Sequence, residues 1–279
     1  MKRTKLIGKF IICVLLVTVC LFMPSERVLA FGNEDTTASV MRLEKTIGDI
    51  KLTTAAGKDS QIIEKMRLNS GDDVKSSSKS YAYISLDDSK VVKMDAKSEA
   101  VVKKKNKNLE VVLEAGNLFF NVDRALLSDE SFEIKTATMT MGIRGTCAQV
   151  IKKSEGVSSV YLLDGTVTCT LTDSRNGKSQ SATLHPGDCA DFYVGDGYPD
   201  GGLIIIRRAK IEDIRGFALQ YILNHPGVAE KIYEQSGLDF RNINQKQVND
   251  RLTRDEEDMP VSSNDGRFSP TADWYLGDH

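Results

Sequence analysis

Histidine is scarce in this chain, with only His185, His225 and His279 among 279 residues. His185 precedes a proline in a turn, His225 closes a helical pattern and His279 is terminal, so none shares a local motif with a cysteine or an activated serine. Metal spacings such as C-x-x-C or H-E-x-x-H do not occur, and no glycine-rich loop follows a strand and opens a helix. These absences leave no motif for catalysis, for a cofactor or for a metal, and Asp87-Asp88 and Asp164-Gly165 read as turn chemistry. A charge excess is also lacking. The net charge is −2, which gives no electrostatic footprint for nucleic acid. The one basic cluster, Lys103-Lys104-Lys105-Asn106-Lys107, lies between two strand patterns and reads as a solvated turn.

Long apolar runs are confined to the start. Lys2, Arg3, Lys5 and Lys9 precede an uncharged stretch from Phe10 to Met23, and Pro24-Ser25 end it before the slender Val28-Leu29-Ala30. That stretch falls short of the roughly 20 residues a membrane helix needs. Residues 1–30 therefore read as a signal peptide cut after Ala30, which places the rest outside the cytoplasm, secreted or associated with the cell envelope, with no stable membrane span. Val19 is too bulky for the position before a lipid-modified cysteine, so Cys20 is not assigned that role. Without this segment, which holds five basic residues and one acidic, the chain stands near −6.

Removal of the signal leaves Cys147, Cys169 and Cys189. Cys169 shares strand parity with Val167 and Leu171 and should face the core. Cys147 and Cys189 should face the other way, which makes a Cys147–Cys189 disulfide a candidate.

From residue 38 to 200 the chain is written in short strands, including Val91 to Met94, Leu109 to Leu113, Asn117 to Val122 and Ser159 to Leu163. Glycine recurs beside apolar residues at Gly48, Gly71, Gly116, Gly145, Gly165 and Gly187, with Asp87-Asp88-Ser89 near the place of a missing member. A period near 22 residues suggests a coil that repeats its corners, so the fold class is mainly β and solenoid-like, with a β-sandwich as the alternative. Residues 203–254 follow as a short strand and C-terminal helices. Their apolar stripe is Ile211, Ile214, Ala218, Tyr221 and Ile222; a second helix stops at Gly237, and a third, capped by Asn242 or Asn244, reaches about Leu252. Residues 255–279 read as an acidic disordered tail in which Trp274, Tyr275 and Leu276 form an apolar island suited to partner contact.

The stretch Met139 to Val150 holds a charge and a glycine between two strand patterns. Its Ile143-Arg144-Gly145-Thr146 resembles the [VI]-R-G-T signature of the FecR domain family. Leu113 to Val122, Phe132 to Thr136, Val160 to Val167 and Leu184 to Gly187 resemble that family's other strand patterns, in matching order. Ala148 stands where the family usually has a bulky aromatic, so a bulky neighbour should fill that space. The resemblance implies an extracytoplasmic, non-catalytic, twisted solenoid-like β domain that in iron-uptake members relays a receptor's state to an anti-sigma regulator. Only Met1 to Lys9 precede the apolar run, so a cytoplasmic sigma-binding arm is not expected here. On this reading Arg144 is a buried or half-buried arginine holding a sheet corner, and the protein is a binding or scaffold module for an envelope partner. The alternative is a signalling component that works through a partner membrane regulator or sigma/anti-sigma system.

Overall fold

The structure, a computed structural model, describes residues 40–198 and 201–257. Among the described residues, seventeen strands form one continuous hydrogen-bonded sheet folded into two layers. The first layer runs β4 (Met66–Arg67), β1 (Arg42–Ile47), β6 (Tyr81–Asp87), β7 (Lys90–Met94), the second half of β9 (Asn108–Val122), β12 (Cys147–Ser154), β13 (Val157–Asp164), β16 (Asp188–Tyr193) and β17 (Leu203–Arg208). The second layer runs β3 (Asp59–Ser60), β2 (Ile50–Thr53), β5 (Asp72–Ser76), β8 (Glu99–Lys105), the first half of β9, β10 (Ser131–Lys135), β11 (Met139–Ile143), β14 (Val167–Thr172) and β15 (Ser179–Leu184). Leu118, Phe120, Val150 and Leu162 of the first layer pack on Val111, Phe132, Ile134 and Met141 of the second. Phe120 and Phe132 meet edge to face with centroids 5.9 Å apart.

A solenoid is not confirmed. Coils of that kind pair strand on strand in parallel, whereas among the described strands only β9 and β10 pair that way. The glycine period has another cause: it marks the corners where the chain leaves one layer for the other. Gly48, Gly71, Gly116, Gly145, Gly165 and Gly187 all have positive φ and stand at such crossings. Asp87-Asp88-Ser89 is a hairpin turn inside the first layer and not the missing corner. That corner is Asp95 to Ser98, where Lys97 takes the left-handed conformation at φ 51.

The corners stack in pairs. A Cβ on Gly48, Gly116 or Gly165 would stand 2.9, 2.6 or 2.7 Å from the carbonyl oxygen of Lys79, Lys97 or Gly145, each the positive-φ residue of the adjacent corner. Ser80 and Ser98 then accept the N–H of Asp49 and Asn117, both at 2.9 Å, and tie the paired backbones together. Arg144-Gly145-Thr146 repeats the backbone approach of Ser78-Lys79-Ser80 and Ala96-Lys97-Ser98, without their hydroxyl hydrogen bond. Gly116 lets two expected strands run as the single bent strand β9.

Helices cover the outer face of the first layer. After a 3-10 turn at Ile211–Asp213 come α1 (Gly216–Asn224), α2 (Pro226–Ser236) and α3 (Gln245–Glu257). Proline opens α2 and Gly237 closes it at φ 77, while Asn244 and Gln247 exchange hydrogen bonds to cap α3. Phe217, Ile222, Ala229 and Ile232 pack on Phe119, Cys147, Tyr161 and Leu163. Each fully buried large side chain of this kind contributes roughly 1.5–3 kcal/mol. Strands buried on both faces lose their alternation, which is why Leu118-Phe119-Phe120 and Val160-Tyr161-Leu162-Leu163 are continuous apolar runs.

Two boundaries move. β17 pairs with β16 along its length, so residues 203–208 belong to the β domain. The third helix runs to Glu257 with Asp255 buried, so residues 255–257 of the stretch assigned as tail are helical. Residues 1–30 lie outside the described residues.

The corner device makes a sharp prediction. Gly116→Ala should cost about 3–4 kcal/mol, combining left-handed strain with overpacking against Lys97 and Ser98. Gly57 has a similar φ of 74 with open space around it, so Gly57→Ala should cost only about 1 kcal/mol. Chemical denaturation of the two variants checks the contrast; equal losses would show that close approach is not the constraint.

Candidate functional site

The register places one row of side chains across the outer face of the first layer: Lys45, Tyr83, Lys93, Phe119, Gln149, Tyr161, Cys189 and Arg207. The helices cover the middle of that row and reach β6 through the last turn of α1. A groove of about 300 Å³ opens there, between Tyr81, Tyr83 and Ile47 on the strands and Tyr221 and His225 at the last turn of α1. Its aromatic wall is continuous. Tyr83 stacks on Tyr221 at 6.1 Å between centroids, Tyr221 stacks on His225 at 4.0 Å, and Phe119 lies 5.0 Å from Tyr221. Ile47 is 50% exposed at the rim.

The chemistry of this groove suits binding. Burial raises the phenol pKa of Tyr83 and Tyr221 and lifts that of Tyr81 to about 12, so all three are neutral hydrogen-bonding aromatics at physiological pH. Lys93 lines the groove and donates to the carbonyl of Phe217 at 2.7 Å, and burial pulls its pKa down to about 8. Lys45 and Glu44 complete the strand side. An apolar or aromatic side chain fits here, with amines nearby to receive an acidic neighbour.

A buried polar latch fixes the helices that form one wall. Arg215 donates through Nε to Asp95 at 2.6 Å and through its second amino group to the Asp255 carbonyl at 3.0 Å. Its backbone N–H donates to Gln149 at 2.9 Å, and the N–H of Gly216 donates to the Asp255 carboxylate at 2.6 Å. Burial raises the pKa of Asp95, with Arg215, the Ala96 N–H and the Asn117 amide opposing that shift. The carboxylate belongs to the corner between β7 and β8, so the latch ties strand geometry to helix position.

The family model described as "FecR protein" matches residues 72–168, from β5 to the start of β14. Those residues are a FecR domain. Two solved structures of a candidate anti-sigma factor from Parabacteroides distasonis ATCC 8503, at 1.65 and 2.50 Å resolution, align with TM-scores of 0.42 and 0.43 at 16% identity, over 58% of this chain and 75% of theirs. No curated protein gives a significant match.

The FecR signature does not form the groove. Ile143 is buried at the end of β11, and Thr146 is buried with its hydroxyl unpartnered. Gly145 allows the backbone of Ala125 to pass, since a Cβ there would stand 3.0 Å from the Ala125 Cα. Arg144, expected to be buried or half-buried, is exposed, with no hydrogen bond or ion pair among the described residues. Gly145 and Thr146 alone can build the corner, because stacking needs backbone approach and no guanidinium. Ala148 sits in register between Phe120 and Leu162, the bulky neighbours its small side chain requires.

The three cysteines are free and buried, so the Cys147–Cys189 bridge is not formed. Cys147 lies opposite Asp164 and Cys189 opposite Tyr161, on either side of β13. Two strand spacings separate them, about 10 Å, beyond disulfide reach. Their orientation is as expected: Cys169 points into the core, the other two toward the helices. Trp274, Tyr275 and Leu276 lie outside the described residues. Sequence reasoning missed Tyr81, Tyr83 and Lys93; the alternation of Tyr81 and Tyr83 with Ala82 and Ile84 was the available signal, but strand alternation does not reveal which helix end will face it.

Two predictions follow from the side-chain environments. Arg215→Ala should cost about 3–5 kcal/mol by stranding the Asp95 charge, while Arg144→Ala should stay within about 0.5 kcal/mol of wild type in denaturant titrations. For Lys93, the folded pKa of about 8 lies below the ordinary 10.5. Its contribution is therefore complete above pH 10.5 and lost as pH falls through 8. Relative to Lys93→Met, the wild type should gain roughly 3 kcal/mol between those limits, and a pH-independent difference would refute the shift.

Proposed function

We propose that this protein is an exported, non-catalytic FecR-domain component of cell-envelope signalling that binds a protein partner and acts through it, the partner being a membrane regulator or a sigma/anti-sigma system. The FecR domain at residues 72–168 carries this reading. The groove beside α1 supplies a contact surface of the right chemistry, aromatic and neutral with amines at hand. Non-catalytic action is supported by the state of the nucleophiles. Burial pushes the thiols of Cys169 and Cys189 up to about 12 and raises that of Cys147, so none is a thiolate at neutral pH. Export is supported by the basic start, the short apolar run and the slender residues before Phe31. The second reading, a structural scaffold, uses the same surface without relay.

Deleting the gene distinguishes the two. Relay predicts a change in a small, defined set of transcripts, restored by the wild-type gene and not by Tyr83→Asp, whose folding is verified by circular dichroism. Unchanged transcripts together with an envelope-assembly defect would favour the scaffold. Sequencing the exported form should find its first residue at or near Phe31, and retention of Met1 to Ala30 would make that segment an anchor.

A further inference from the structure

We propose that the groove is the docking site of this chain's own C-terminal segment, with Trp274-Tyr275-Leu276 seated over Ile47, Tyr83 and Tyr221. The position where α3 ends is the first argument. Its last turn is held by the Asp255 contacts to Arg215 and Gly216, and the Glu256 carboxylate lies 3.9 Å from the Lys79 amine. Lys79 stands two residues before Tyr81, the first residue of β6 and part of the groove lining, so α3 ends at the groove's own end. Among the described residues Ile63, Leu127, Tyr198 and Tyr233 are also exposed, and the exposed pair Ile205 and Ile206 on β17 is on the opposite edge of that layer.

Length is the second argument. Seventeen residues separate Glu257 from Trp274; a random chain of that length spans on average about 20–25 Å, and a tether that short holds its end at an effective concentration near the millimolar range. Weak apolar contacts are then sufficient for occupancy.

Complementarity is the third. The groove offers apolar and aromatic walls with the amines of Lys45 and Lys93, against the single acid Glu44 among its lining residues. The segment offers a Trp, a Tyr and a Leu in succession with Asp273 before them and Asp278 after, and residues 258–279 carry four aspartates against Arg267. The docked segment covers the surface that a partner would use. Release by a partner rests on the function proposed above; the docking itself does not.

Trp274 is the only tryptophan, so its fluorescence reports this contact without labelling. In the exported full chain, emission should be blue-shifted relative to the denatured chain and shielded from acrylamide, at a level independent of protein concentration. Ile47→Asp and Tyr83→Asp should each return Trp274 to solvent-like emission and quenching while circular dichroism and the unfolding midpoint stay near wild type. Solvent-like emission in the wild type overturns the proposal. So does shielding that the groove substitutions leave intact, which would place the segment elsewhere, or shielding that grows with concentration, which would place it on a second copy. A transcript test that fails beside a shielded Trp274 removes the relay and keeps the docking; the reverse pair of results removes only the docking.

Discussion

Where the chain crosses from one layer to the other, its backbone passes against the backbone of the adjacent corner at a separation that leaves no room for a Cβ on the inner residue. Everything else in the β domain is arranged around that approach. It needs one residue of positive φ on one corner and a glycine on its neighbour, and at Ser80 and Ser98 a hydroxyl accepts the incoming N–H. Three pairs of corners are joined in this way, at Gly48, Gly116 and Gly165, and Phe120 and Phe132 meet across the core between the two layers. The Arg-Gly-Thr signature repeats the close approach through Gly145, whose carbonyl meets the Gly165 corner, but its Thr146 hydroxyl accepts no N–H.

The corner between β7 and β8 has a second duty. Its Asp95 is buried and would be costly alone, but the Ala96 N–H, the Asn117 amide and Arg215 share its oxygens. Arg215 in turn stands at the break between the 3-10 turn and α1, in extended conformation, with its N–H committed to Gln149. One carboxylate therefore sets where α1 begins. The position of α1 fixes Tyr221 and His225 over β6, and with them the width of the groove. Binding geometry is a consequence of sheet construction.

The same layering explains why reactive groups are silent. Cys147, Cys189, Tyr161 and Tyr221 all lie between the first layer and the helices, where loss of water favours the neutral form of each. Lys93 is affected in the opposite direction for the same reason, since its neutral form is the amine. What this region presents is therefore shape and aromatic surface.

Much of this was legible in the sequence. Strand positions, the glycine corners, the α2 boundaries and the inward Cys169 follow from alternation, turn chemistry and caps, which act over a few residues; the FecR resemblance rests on the Ile143-Arg144-Gly145-Thr146 motif and its neighbouring strands. The solenoid expectation failed because a repeated corner looks the same whether successive strands run parallel or reverse. Missing from the pattern was Lys97, which supplies a positive φ without being a glycine. The expectation for Arg144 failed because a charge beside a glycine does not say which way its side chain leaves the corner. The disulfide failed because strand parity fixes a face but not the β13 strand that intervenes. Tyr83, Lys93 and Tyr221 are far apart in the chain, and only the folding of α1 onto β7 brings them together. Local chemistry determined the elements and their corners; the long-range registry of two layers and a helix decided the groove.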